Sequence, residues 1–150
     1  MKTVAVASSL LLTVAAVPVE QRQATEMDFT NFVANTIANG NGAVISYDIA
    51  IPGVMSTHCA YFDSTSTEEL PSVSAATCDN SAMIWQFHQD PSLPGAEGQY
   101  RIVVTYIDAS GVGHSGYHEW LPTDFPAETY GSTSETVYRG ESSFVISDLS

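Results

Sequence analysis

Positive charge is scarce in this chain: Lys and Arg together number 4 against 17 Asp and Glu, giving a net charge of −13. A surface so dominated by carboxylates repels phosphate backbones and anionic headgroups, which excludes nucleic acid and anionic membrane surfaces as partners. Lysine occurs only at Lys2. Once the N-terminus is removed, chemistry that needs a lysine Schiff base or a lysine phosphate ligand is excluded. Beyond the N-terminus no run is long and apolar enough to span a bilayer. Charged residues make up only 14% of the chain, too few for a disordered polyanion or a coiled coil, whereas 44% hydrophobic content suits a folded globule. The length of 150 residues fits one domain.

Catalytic signatures are missing as well. Gly113-His114-Ser115-Gly116 lacks the spacing of a nucleophile elbow, and neither a phosphate-cradling glycine loop nor a dinucleotide fingerprint occurs. The adjacent carboxylates Glu68 and Glu69 would point to opposite faces of a strand, so they read as a solvated pair. Asn31, Asn35, Asn39, Asn41 and Asn80 all lack Ser or Thr two positions on, so N-glycosylation is not expected.

What is present begins with a sorting signal. Lys2 supplies the positive region, Val4 to Ala16 an apolar run, and Val14-Ala15-Ala16 the small residues of a cleavage point. Pro18 and Glu20 end that run short of the ~20 apolar residues a spanning helix needs. Residues 1–16 therefore read as a secretory signal peptide. Residues 17–25 show no periodicity and read as a flexible leader or short propeptide with Arg22 as a candidate processing point, and 26–150 as the secreted β-domain. The expected location is extracellular.

Cys59 and Cys78 are the only cysteines. In a secreted chain of this size such a pair reads as a disulfide, worth on the order of 3 kcal/mol for a loop of about 20 residues.

Turn residues punctuate the mature sequence at short intervals, and the segments between them alternate. Ile45, Tyr47, Ile49 and Ile51 alternate with Ser46, Asp48 and Ala50, the period of a strand with one buried face. Met83, Trp85 and Phe87 form a second such face, and Tyr100, Ile102, Val104 and Tyr106 a third. Further strands are expected over Met27 to Val33, Thr57 to Phe62, Val112 to Leu121, Glu135 to Arg139 and Ser142 to Ser147. Ser64 to Thr77 reads as a long connection in which Leu70 and Val73 mark at most a brief strand. The prediction is an all-β, single-domain antiparallel β-barrel or β-sandwich of about eight strands.

Two groups of residues are candidates for a site. On an extended strand His114 and His118 share a face, and with Glu119 they form the one cluster for a metal site or hydrolase centre. Zinc or copper there needs a third ligand, from His58, His88 or a carboxylate; the alternative is that both imidazoles line a solvated face. Tyr117, Trp120, Phe125 and Tyr130 lie near Pro122 and Pro126 and are candidates to bind a small planar ligand or a protein partner, or to complete the packing of a β-domain edge. No cofactor is expected.

Several features come together: the leader with Pro18 and Gln21-Arg22-Gln23, Asp28-Phe29 opening the first strand, Ile45-Ser46-Tyr47-Asp48-Ile49 before Cys59, Cys78 before Trp85-Gln86-Phe87, then Tyr100-Arg101-Ile102 and the ending Val137-Tyr138-Arg139-Gly140-Glu141-Ser142-Ser143-Phe144. The pattern resembles the fungal small secreted β-barrel family typified by the major Alternaria allergen. That resemblance implies a compact barrel or sandwich, secretion, a Cys59–Cys78 bridge, and a non-enzymatic role as effector, elicitor or allergen-like binder of a host protein or small planar ligand. A structural cell-wall protein is a further alternative. The second disulfide and the dimer-joining cysteine of the founding allergen are missing here, so a monomer is expected. An acidic medium would relieve repulsion among the carboxylates, which predicts a gain in stability on acidification.

Overall fold

The computed structural model of the chain describes residues 24–37, 42–65, 69–90 and 99–150. The expected signal peptide over 1–16 lies outside these residues, as does the expected leader apart from Ala24 and Thr25; Ala24 is already buried.

Among the described residues ten strands form: β1 (Met27–Thr36), β2 (Ala43–Ile51), β3 (Met55–Asp63), β4 (Val73–Thr77), β5 (Met83–Asp90), β6 (Gln99–Ile107), β7 (Gly113–Trp120), β8 (Ala127–Tyr130), β9 (Thr133–Thr136) and β10 (Phe144–Ile146). The only helical element among the described residues is a short turn at Pro122–Asp124. One sheet has the order β10-β1-β2-β3, the other β4-β5-β6-β7, and β8 with β9 makes a separate hairpin. Every pairing is antiparallel.

Strict alternation builds the inner faces. In β2 the odd-numbered residues Ile45, Tyr47, Ile49 and Ile51 are buried while Val44, Ser46, Asp48 and Ala50 are only partly so. Met83, Trp85 and Phe87 of β5 and Ile102 and Val104 of β6 face them across the core. β1 breaks the rule: register shifts between Thr30 and Val33, and Asn31 adopts φ 55°. The extra residue reverses the alternation, so Phe29 and Phe32, three apart, are both buried.

The two sheets meet along two seams. Where β3 approaches β4, Cys59 and Cys78 are joined with their Cα atoms 4.2 Å apart. Beside the bridge the Asp79 N–H donates to the His58 carbonyl and the Asn80 N–H to Thr57 Oγ1, both at 2.9 Å. On the opposite side, Ser115 of β7 and Ser150 after β10 exchange both backbone hydrogen bonds at 2.9 Å. Gly116 permits that approach, because a Cβ there would sit 2.8 Å from Leu149 Cδ2 and closer still to Ile146.

The all-β expectation holds, and of the two architectures foreseen the sandwich is found: point contacts rather than continuous ladders close the seams. The two strands beyond the expected eight are β4 and β8. β4 lies in the segment read as a connection, where Val73 alone is buried. β8 is polar and exposed, with no apolar alternation to reveal it, and is turned back by Gly131 at φ 65°. β9 begins at Thr133, two residues before the strand foreseen at Glu135.

Among the described residues two buried polar atoms, Tyr47 Oη and Trp85 Nε1, have no hydrogen-bond partner. Burial drives the Tyr47 phenol well above its ordinary value. Replacing Tyr47 with Phe removes the unpaired hydroxyl and keeps the ring, and should raise unfolding stability by about 1 kcal/mol. Converting both Cys59 and Cys78 to Ser should cost about 3 kcal/mol. Urea denaturation of the two variants beside the parent measures both effects.

Candidate functional site

Where β7 ends and the chain returns from β9 to β10, the sheets part and leave an open cleft of about 320 Å³ lined by His118, Glu119, Trp120, Leu121, Asp124, Tyr138, Gly140, Glu141 and Phe144. Its walls are aromatic because His118 and Trp120, both even-numbered in β7, turn inward. The His118 imidazole stacks on Phe144 with centroids 4.3 Å apart and meets Trp120 edge-on at 4.7 Å. Behind them, Trp120 stacks on Phe32 at 4.7 Å, and Phe32 meets the edge of Tyr138 at 4.9 Å. Such offset and edge-to-face pairs contribute about 0.5–1.5 kcal/mol each beyond area burial, which fixes the walls before any ligand arrives.

Hydrogen bonds hold the rim. The Trp120 and Tyr138 rings meet edge-on at 5.8 Å, and the Tyr138 hydroxyl donates to the Glu141 carbonyl at 2.8 Å. Gly140 lies flat against the Tyr138 ring; a side chain there would collide with it. Asp124 closes the floor: its side chain accepts the Leu121 N–H at 3.2 Å and its carbonyl accepts the Arg139 N–H at 2.8 Å. Asp124, Glu119 and Glu141 give the cleft a negative rim, against which burial dominates at His118 and holds its pKa below the ordinary 6.5.

The expected site residues are dispersed. Of the aromatic group, Trp120 and Phe125 are both 5% exposed and belong to the core, whereas Tyr117 and Tyr130 are 60% and 54% exposed on separate surfaces. Tyr117 lies over the Arg101 guanidinium at 5.3 Å on the outer face of β7. The Tyr130 hydroxyl donates to Glu128 at 2.6 Å on the β8–β9 hairpin. Of these four aromatics only Trp120 lines the cleft, which it shares with His118 and Glu119 of the other candidate group. His114, His118 and Glu119 do not converge: His114 Nε2 pairs with Asp108 Oδ2 at 3.1 Å, His118 is held by Phe144, and Glu119, at the edge of the cleft, is paired with Arg101. Four residues along a strand span roughly 13 Å, more than two imidazoles sharing one metal can bridge. Among the described residues no group of three or more His, Cys, Asp or Glu is placed to hold a metal ion.

Leu121, Asp124, Tyr138, Gly140, Glu141 and Phe144 are the cleft residues that the sequence did not single out as ligand contacts. Phe144 falls in an expected strand, yet nothing local marks which wall it faces. No model of a known protein family matches the chain, and no curated protein matches it.

The lowered pKa of His118 predicts that stability depends on pH. Its folded pKa lies below its unfolded one, so the unfolded state binds the extra proton first and stability falls as pH drops from 6.5 through the folded value. Asp48, Asp108 and Glu128 have lowered pKa values as well, through side-chain hydrogen bonds, and their contribution is lost at lower pH as they protonate. Both effects oppose the relief of charge repulsion. Melting curves between pH 8 and pH 4 should show a smaller loss from pH 7 to pH 5 in His118→Phe than in the parent; identical slopes would remove His118 as the cause.

Proposed function

We propose that this is a secreted fungal protein of the elicitor or allergen-like class, non-enzymatic, whose cleft beside His118 and Trp120 binds a small planar ligand. The observation that carries this reading is the preformed aromatic cleft with carboxylates at its rim. Planar rings gain most from walls such as Phe144 and Tyr138, and Asp124 and Glu141 favour a ligand bearing positive charge or several hydrogen-bond donors. The net charge of −13 acts in the same direction at long range.

The family reading draws support from two features of the form it implies, a compact antiparallel sandwich and a Cys59–Cys78 bridge. Secretion draws support from the bridge, since disulfides persist in oxidising compartments. No helix among the described residues is long and apolar enough to cross a membrane. For a host protein as partner, the supporting feature is Tyr117 exposed over Arg101, two residue types that anchor interfaces.

Titration with proflavin, a planar aromatic cation, and with a neutral planar phenol tests the cleft. At about 0.3 kcal/mol per non-hydrogen atom, proflavin with its ~16 such atoms gains about 5 kcal/mol, a Kd on the order of hundreds of micromolar. Binding of either should weaken in Phe144→Leu, and only that of the cation in Glu141→Gln. Absence of binding for both probes, or binding indifferent to both substitutions, refutes the cleft as the site.

A further inference from the structure

We infer that Ser46, on the outer face of the β10-β1-β2-β3 sheet, is a nucleophilic acyl-acceptor site, activated by His58 and Asp48 and directed toward small apolar or aryl esters. β2 places Ser46 and Asp48 two residues apart on the same outward face, and the β2–β3 register sets His58 opposite Asp48 and Ala60 opposite Ser46. From that position the imidazole reaches both partners. His58 Nδ1 lies 2.8 Å from Asp48 Oδ1, and Nε2 lies 3.4 Å from Ser46 Oγ. The second Asp48 oxygen accepts the Asn31 amide at 2.8 Å.

These four side chains have the order of nucleophile, base and orienter, with a fourth group fixing the orienter. The Asp48 carboxylate, whose pKa is lowered by its hydrogen bonds from Asn31 and His58, accepts the Nδ1–H hydrogen bond and so holds the tautomer whose Nε2 lone pair faces the Ser46 hydroxyl. Asn31 and Asp48 are positioning residues here; Ser46 and His58 meet the substrate.

The surroundings indicate the substrate class. Ser46 lies between Val33 and Ala60 across the sheet, and the next row along the strands holds Asn35, Val44 and Phe62. Val33 is 47% exposed and Phe62 62% exposed, so an apolar platform adjoins the hydroxyl on the side away from Asp48. An acetyl or aryl group resting on that platform brings its carbonyl carbon to Ser46.

The reaction is a redox-neutral acyl transfer. Ser46 Oγ attacks the carbonyl carbon as its proton passes to His58 Nε2; the C–O bond to the leaving alcohol breaks, the alcohol takes that proton, and the acyl group remains on Oγ. Ser46 belongs to a strand paired on both sides, which commits the sheet's N–H groups to the ladders rather than to an oxyanion. Acylation without rapid turnover follows.

The test treats the whole protein with 4-nitrophenyl acetate and follows 4-nitrophenolate release, then intact mass and peptide mapping. The expected result is a burst approaching one equivalent and one acetyl group on Ser46, abolished in Ser46→Ala and slowed about 100-fold in His58→Gln. Both substitutions lie on the sheet's outer face and should leave stability nearly unchanged. Acetylation confined to other residues, or Ser46 labelled equally fast in His58→Gln, overturns the proposal. Because the cleft reading is tested by ligand titration, failure here leaves that reading intact, and the converse also holds.

Discussion

At Asn31 the backbone of β1 turns to φ 55° and places two residues, Asn31 and Phe32, against the single Tyr47 of β2. Without that insertion, period-2 alternation would carry Phe29 and Asn31 inward and send Phe32 to solvent. With it, Phe29 stacks on Tyr47 at 5.0 Å and on Phe144 at 4.5 Å, while Phe32 reaches Trp120, Tyr138 and Phe144. The aromatic core and the back wall of the cleft depend on the same backbone irregularity. Losing it would expose a phenylalanine and bury an asparagine amide, a double penalty of several kcal/mol.

Closure of the sandwich is economical in hydrogen bonds. The β3–β4 seam relies on one covalent bridge with two flanking hydrogen bonds, and the β7–β10 seam on the reciprocal Ser115–Ser150 pair. Such seams leave strand edges partly unpaired, and the high acid content guards them, since like-charged copies do not dock edge to edge. The same excess is managed locally by donors. Asp108 accepts from Ser110 and Val112, Asp48 from Asn31, and Glu128 from Tyr130, while Arg101 and Arg139 are engaged by Glu119 and Glu128. Exposed pairs of this kind contribute little to stability each, so the fold rests on the apolar interior and the bridge.

Alternation was legible wherever a strand buries one face completely, as at Ile45, Tyr47 and Ile49 or at Trp85 and Phe87, and the cysteine pair was legible from compartment and count. The choice of sandwich over barrel was not, because it turns on whether two seams carry ladders or point contacts, a matter of edge geometry rather than of local pattern. β8 escaped because Ala127, Glu128 and Thr129 bury nothing that a periodicity could register. The His114/His118 reading took the shared face correctly but not the rise along a strand, which keeps the imidazoles apart. The Ser46 cluster lay hidden for the opposite reason: its members are far apart in sequence and adjacent only through the β2–β3 register and the β1 bulge.

Residue 31 answers to two demands at once, and asparagine is the residue that meets both. The left-handed backbone is readily occupied only by Gly, Asn and Asp, since other side chains clash there. The contact with Asp48 requires a donor, which Gly lacks and which an ionised Asp would replace with a second negative charge beside the first. The backbone of Asn31 thereby orders the interior through Phe32, and its side chain orders the exterior through Asp48. One position in β1 couples the packing that shapes the cleft to the polar cluster on the opposite face of the same strand.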